Sequence, residues 1–236
     1  MKFSLKKICS LLFILLAVGF FSFSAYRKAK TRRIIRETLA SEHWQDRMRE
    51  FNAEPRSTGR IVFLGNSLTE MFDLRILGDS TIINRGITGD FSEGVLKRID
   101  EVISLHPSKL FLEVGINDLV EHVSVKEVTR NYERIVEQVR SKSPETQIYF
   151  QSLLPVKMIS SMVTSSQDVN ETVREQNSAL KQLADQLHVT FINLYDNYVL
   201  DGEINPRLTW DGVHLVEEGY VIWKSFLLPY LGKKQS

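Results

Sequence analysis

Ile61-Val62-Phe63-Leu64-Gly65-Asn66-Ser67-Leu68-Thr69-Glu70 is an apolar run that ends abruptly at a glycine and continues into polar residues. An apolar stretch with two β-branched residues reads as a strand buried on both faces, the pattern of a parallel sheet. Gly65 and Asn66 break the strand and open a tight strand-to-helix turn. Ser67 then stands at the carboxyl end of the strand, the edge at which open α/β sheets bind ligands. The N-terminus of the following helix turns N–H groups and positive dipole toward the same place. The plainer reading of Asn66-Ser67, as a cap for that helix, stays open.

Outward from this segment the alternation continues. Strands are expected at 61–64, 81–84, 109–114, 147–153 and 190–194, and helices at 93–105, 126–142, 169–187 and 217–230. Such alternation makes a parallel sheet with helices on both faces. Ahead of it, Ile35, Leu39, Trp44, Met48 and Phe51 recur at helical spacing and predict one helix over 34–51, packed outside the main body. The serine-rich stretch 155–167, with Met158 and Met162, follows the fourth strand and is expected to form a flexible apolar lip.

The chain carries 30 basic and 29 acidic residues, a balance that removes any global argument for nucleic-acid binding. Lys2, Lys6 and Lys7 precede an apolar run over 8–21, and Ser22-Phe23-Ser24 before Ala25 offers the small residues a signal peptidase accepts. Counted to Ala25, the run reaches the lower length limit of a spanning helix, so a retained anchor is the other reading. Arg27, Lys28, Lys30, Arg32 and Arg33 follow it and weigh against translocation. The expected location is therefore exported, periplasmic or extracellular, or membrane-anchored through this segment. Cys9 is the only cysteine, which leaves no disulfide framework, thiol nucleophile or thiolate metal site.

Three more segments fall where strands end. Asn84-Arg85-Gly86-Ile87-Thr88-Gly89-Asp90 has two glycines that let a backbone N–H face the edge, and Gly115-Ile116-Asn117-Asp118 sets an amide side chain after a glycine. Asp211-Gly212-Val213-His214 places a carboxylate three residues before an imidazole. On a turn, that spacing lets the carboxylate accept from one ring nitrogen while the other takes a proton from a hydroxyl. A serine needs such a base, and His214 fits better than His43, His106 or His188, with His122 the one serious rival. Neither a zinc-binding pattern nor a phosphate-cradling glycine loop is present, so no metal or cofactor is expected.

With all four blocks in this order, the chain resembles the SGNH hydrolases, the GDSL esterase and lipase superfamily, over roughly residues 59–231. Its spacing is especially similar to the platelet-activating-factor acetylhydrolase catalytic subunits and related bacterial acylhydrolases. The resemblance implies an α/β, three-layer α/β/α fold with a five-stranded parallel sheet of flavodoxin-like type. It implies Ser67 as nucleophile, Asp211 and His214 as acid and base, and an oxyanion hole from Ser67, Gly89 and Asn117. One departure stands out: the family's first block usually reads Gly-Asp-Ser, and here Asn66 precedes the serine.

The resulting organisation is a signal or anchor at 1–25, a basic linker and amphipathic helix at 26–58, and an SGNH hydrolase catalytic domain at 59–236. The expected activity is hydrolysis of short-chain carboxylic esters, O-acetyl groups on carbohydrate, through an acyl-enzyme. Alternatives are a lysophospholipase or thioesterase, an O-acyltransferase, or an inactive binding protein of the same fold. The expected partner is a small-molecule, carbohydrate or lipid ester.

Overall fold

In the computed structural model, which describes residues 5–157 and 165–232, five parallel strands form one sheet in the order β2-β1-β3-β4-β5. They are β1 (Ile61–Gly65), β2 (Ile83–Gly86), β3 (Lys109–Glu113), β4 (Gln147–Gln151) and β5 (Thr190–Ile192). This is the flavodoxin-type strand order, whose reversal beside β1 opens a crevice at the carboxyl edge. The helices are α1 (Leu5–Leu39), α2 (Glu42–Ala53), α3 (Ser67–Glu70), α4 (Ser92–Ile103), α5 (Ile116–Val120), α6 (Val125–Lys142), α7 (Ser166–Leu187) and α8 (Glu217–Leu231). A short antiparallel pair, β6 (Val199–Leu200) and β7 (Glu203–Ile204), was not foreseen in the sequence.

Side chains alternate across each strand, so one apolar run feeds two cores. Val62, Leu64, Leu110, Leu112, Ile148 and Phe150 pack on one face with Val95 and Ile99 of α4, Ile135 of α6, and Val173 and Leu180 of α7. On the other face Phe63, Phe111 and Tyr149 stack in a row, ring centroids 4.6 Å apart at each step, under Trp223 and Leu227 of α8. Each such buried side chain contributes about 1.5–3 kcal/mol. The cores fix the pitch of the strands, and with it the edge at which the first three sequence blocks emerge; the fourth, expected at a strand end, lies instead in the loop between β7 and α8.

The expected second strand begins later than 81, because Thr81 turns back on Asp79 through a 2.9 Å backbone-to-carboxylate bond. The single helix expected over 34–51 is corrected to two. The chain breaks at Ala40–Ser41, where the Ser41 hydroxyl caps α2 by accepting from Trp44 N at 3.3 Å. A serine that can cap competes with helix continuation, and apolar spacing alone does not register it.

The chain divides into two units, Met1–Glu37 and Thr38–Ser236. Among the residues whose side chains are described, no helix is long and apolar enough to cross a membrane. The apolar run 8–21, expected as signal or anchor, lies almost wholly outside those residues. The expected lip at 155–167 likewise falls outside the described residues over 158–164.

Candidate active site

The turn that carries Ser67 is set by close approach. A Cβ on Gly65 would lie 2.3 Å from both the Glu113 carbonyl oxygen and Thr69 Oγ1, so only glycine lets α3 fold back against β3. Asn66 is fully buried, and its Oδ1 accepts from Leu68 N at 3.0 Å. Asn66 is thus the cap of α3, and the Ser67 hydroxyl is left for another partner. That partner is His214, whose Nε2 lies 3.0 Å from Ser67 Oγ across 147 residues of sequence.

His214 sits in a loop held from several directions. Thr209 and Leu215 form an isolated antiparallel bridge, Thr209 Oγ1 donates to the His214 carbonyl at 2.8 Å, and Gly212 N donates to Thr209 Oγ1 at 2.8 Å. Gly212, at φ 89°, comes so close to Lys157 that a Cβ would lie 2.0 Å from its carbonyl oxygen. Asp211 Oδ1 accepts from the backbone N–H of Val213 at 2.9 Å and of His214 at 2.7 Å, while Oδ2 lies 2.6 Å from His214 Nδ1. An ionised carboxylate only accepts, so Nδ1 carries the proton and Nε2 turns its lone pair toward Ser67. Burial works to raise the Asp211 carboxyl, but the hydrogen bonds from His214 and Val213 outweigh it and hold it below the usual carboxylate range.

The two donor segments are tied to this turn and to each other. Ile87 N donates to the Gly65 carbonyl at 3.1 Å, and Asp90 N donates back to Ile87 O at 3.0 Å. Gly89, at φ 80°, occupies the third position of that turn, as a type II turn requires. Asn117 Nδ2 donates to the Asp90 carbonyl at 2.9 Å, which leaves the second amide hydrogen for a ligand. Asp118 anchors α5 by accepting from Ser92 N at 2.9 Å and Ser92 Oγ at 2.7 Å. Burial pushes Asp118 up to about 7 against the pull of these Ser92 bonds.

Ser67, Gly89 and Asn117 follow strands β1, β2 and β3 of one sheet, while Asp211 and His214 come from the loop ahead of α8, which follows no strand of that sheet. Ser67, His214 and Asp211 form a continuous hydrogen-bonded chain. The rival His122 closes α5 in a left-handed turn at φ 60°. Several neighbours were not anticipated. Arg98, buried in α4, donates to Asp90 Oδ2 at 2.8 Å and to the Gly65 carbonyl at 3.0 Å, joining the Gly89 loop to the Ser67 turn. Trp210 is exposed and stacks on the His214 ring, centroids 5.5 Å apart at 18°. Nothing in a linear reading marks Arg98, since a charge within an amphipathic helix ordinarily faces solvent.

An α/β sheet with a serine–histidine–aspartate chain at its carboxyl edge defines a class of serine hydrolase scaffold. Residues 59–222 match the GDSL-like Lipase/Acylhydrolase family, and the chain belongs to that family. It is 28% identical over 184 residues to an N-acylneuraminate cytidylyltransferase of Escherichia coli O18:K1:H7 (strain RS218 / NMEC), a match covering 75% of this chain and 41% of that one. The chain thus spans about two fifths of that relative's length. It is similar to a Streptococcus pneumonia structure provisionally described as a platelet activating factor, with a TM-score of 0.67 and 26% identity over 92% of this chain and 99% of the other. An acetyl xylan esterase, AlAXEase, shares the fold at a TM-score of 0.60 and 20% identity, over 73% of this chain and 100% of the other.

Proposed function

We propose that the chain is a serine esterase that removes short acyl groups, O-acetyl above all, from carbohydrate. The observation that carries this reading is the Ser67 Oγ–His214 Nε2 contact at 3.0 Å, backed by Asp211 at 2.6 Å from Nδ1. His214 takes the hydroxyl proton as Ser67 Oγ bonds to the carbonyl carbon, and Asp211 stabilises the imidazolium that forms. Negative charge moves to the carbonyl oxygen, where the N–H groups of Ser67 and Gly89 and the Asn117 amide donate to it. The intermediate collapses as His214 gives its proton to the departing alcohol. Water, deprotonated by the same imidazole, then bonds to the acyl carbon, and the bond to Ser67 Oγ breaks as the imidazolium returns its proton to that oxygen, which frees a carboxylic acid.

Two features support a sugar ester. The open face of Trp210 beside His214 suits stacking of a sugar ring, and the acetyl xylan esterase of similar fold offers a precedent for the chemistry. We extend the proposal to export or membrane anchoring through residues 1–25, supported by Lys2, Lys6 and Lys7 ahead of the apolar run.

Hydrolysis of p-nitrophenyl esters of increasing acyl length tests the reading, alongside acetylated xylooligosaccharides. Ser67→Ala and His214→Ala are expected to reduce acetate-ester turnover by about 10⁴-fold or more. Trp210→Ala is expected to raise KM for the acetylated sugar and leave KM for p-nitrophenyl acetate unchanged. Preference for long acyl chains would replace the deacetylase reading with a lipid one. Acyl transfer to excess sugar in place of water would make the protein a transferase.

A further inference from the structure

Helix α2 ends before residue 59, where the match to the family begins, yet it is bonded to the walls of the proposed site. Trp44 Nε1–H donates to Asp90 Oδ1 at 3.2 Å. His43 Nε2 and Arg47 Nε approach opposite oxygens of the Glu70 carboxylate at 3.1 Å and 3.3 Å. Glu70 Oε2 in turn accepts the backbone N–H of Thr88. Two separate paths therefore run from α2 to the residues on either side of Gly89.

The turn at Gly89 is where such support matters. Ile87 to Asp90 closes through the 3.0 Å bond from Asp90 N to Ile87 O, with Gly89 in the left-handed region at φ 80°. In a type II turn of this kind, the central peptide, here Thr88–Gly89, is flipped relative to a type I turn. Glycine reaches both forms without steric cost, so the residue that permits the required geometry also permits the wrong one. A flip would carry the Gly89 N–H away from the oxyanion. The choice must come from outside the turn, and the Glu70 bond to Thr88 N and the Trp44 and Arg98 bonds to Asp90 join those of Ile87 N to Gly65 O and of Asn117 to the Asp90 carbonyl in holding its two flanks.

We propose that Glu70 and Trp44 are positioning residues for the Gly89 N–H, which makes α2 a working part of the active site. The inference rests on the esterase reading above. It predicts a selective effect on the transition state, because the oxyanion forms only there. Substrate affinity should be nearly untouched.

The test uses the full chain carrying Glu70→Ala, Glu70→Gln or Trp44→Phe, with p-nitrophenyl acetate turnover and urea midpoints measured for each. Glu70→Ala is expected to lower kcat about tenfold with KM within about twofold. Glu70→Gln keeps an oxygen that accepts from Thr88 N–H and should recover most of the loss. Trp44→Phe keeps the ring but not the donor and should lower kcat about threefold to fivefold. A phenylboronate, which forms a tetrahedral adduct on serine, should bind more weakly to the impaired variants in proportion to their kcat. The proposal falls if folded Glu70→Ala and Trp44→Phe both keep kcat within about twofold, or if Glu70→Gln is as impaired as Glu70→Ala. Should Glu70→Ala not fold, Trp44→Phe decides alone. Activity that survives Ser67→Ala would overturn the esterase reading itself, a result separate from any of these.

Discussion

Asn117 shows how a single side chain is aimed. One amide hydrogen is committed to the Asp90 carbonyl at 2.9 Å, and α5 is pinned by Asp118 to Ser92, so the remaining hydrogen has a fixed direction. Donors aimed at a developing oxyanion are worth most in the transition state. Asn117→Ala is therefore expected to lower kcat for p-nitrophenyl acetate by about 10²- to 10³-fold with little change in KM. Asn66 shows the opposite economy. Its Oδ1 caps α3, while its Nδ2 is buried with no hydrogen-bond partner among the described residues. The family's usual Asp at this position would present the same capping oxygen, which accounts for the tolerance of Asn here.

At the scale of elements, the site depends on how tightly α3 is pressed against the sheet. A Cβ on Gly86 would lie 2.1 Å from Glu70 N and 2.6 Å from Glu70 Cα, both backbone atoms that cannot rotate away. Gly86→Ala must push α3 outward, and α3 carries Ser67. The substitution is expected to cost about 1–3 kcal/mol of stability, the usual range for overpacking, and to reduce kcat as the Ser67–His214 contact lengthens. Urea unfolding and turnover with p-nitrophenyl acetate, measured on one preparation, check both halves. The break between α1 and α2 belongs to this scale as well. Ser41 starts α2 afresh, and that second start is what gives Trp44, His43 and Arg47 their direction toward Asp90 and Glu70.

The whole molecule carries charge in its interior, and its stability should depend on pH accordingly. Glu113, at the end of β3, is fully buried with neither carboxyl oxygen hydrogen-bonded among the described residues, and burial pushes it up to about 8. The unfolded chain releases that proton near the ordinary value of 4.5, while the native state holds it to about 8. Between those values the native state binds more protons, so stability falls as pH rises across the window. Asp118, raised to about 7, acts in the same sense. Glu70 and Asp211 act oppositely: burial raises both, hydrogen bonds outweigh it, and their contribution is lost as pH falls through their lowered values. In Glu113→Gln the decline between about pH 5 and 8 should flatten relative to the parent, read from urea midpoints across that range. An unchanged slope would mean that Glu113 is ionised in the native state. The alternation of strands and helices, and three of the four blocks at strand ends, could be read from the chain because periodicity and turn chemistry are local properties, whereas the fourth block, 211–214, lies in a loop ahead of α8 and not at the end of a sheet strand. Ser67, Gly89, Asn117, Asp211 and His214 stand as candidates from the sequence because each lies in a short segment that, taken in order with the others, resembles a family's pattern. Their convergence, the support of Gly89 by Trp44 and Glu70, the bridge made by Arg98, and the burial of Glu113 were decided only by the tertiary structure, since each depends on surfaces that meet after distant segments have packed.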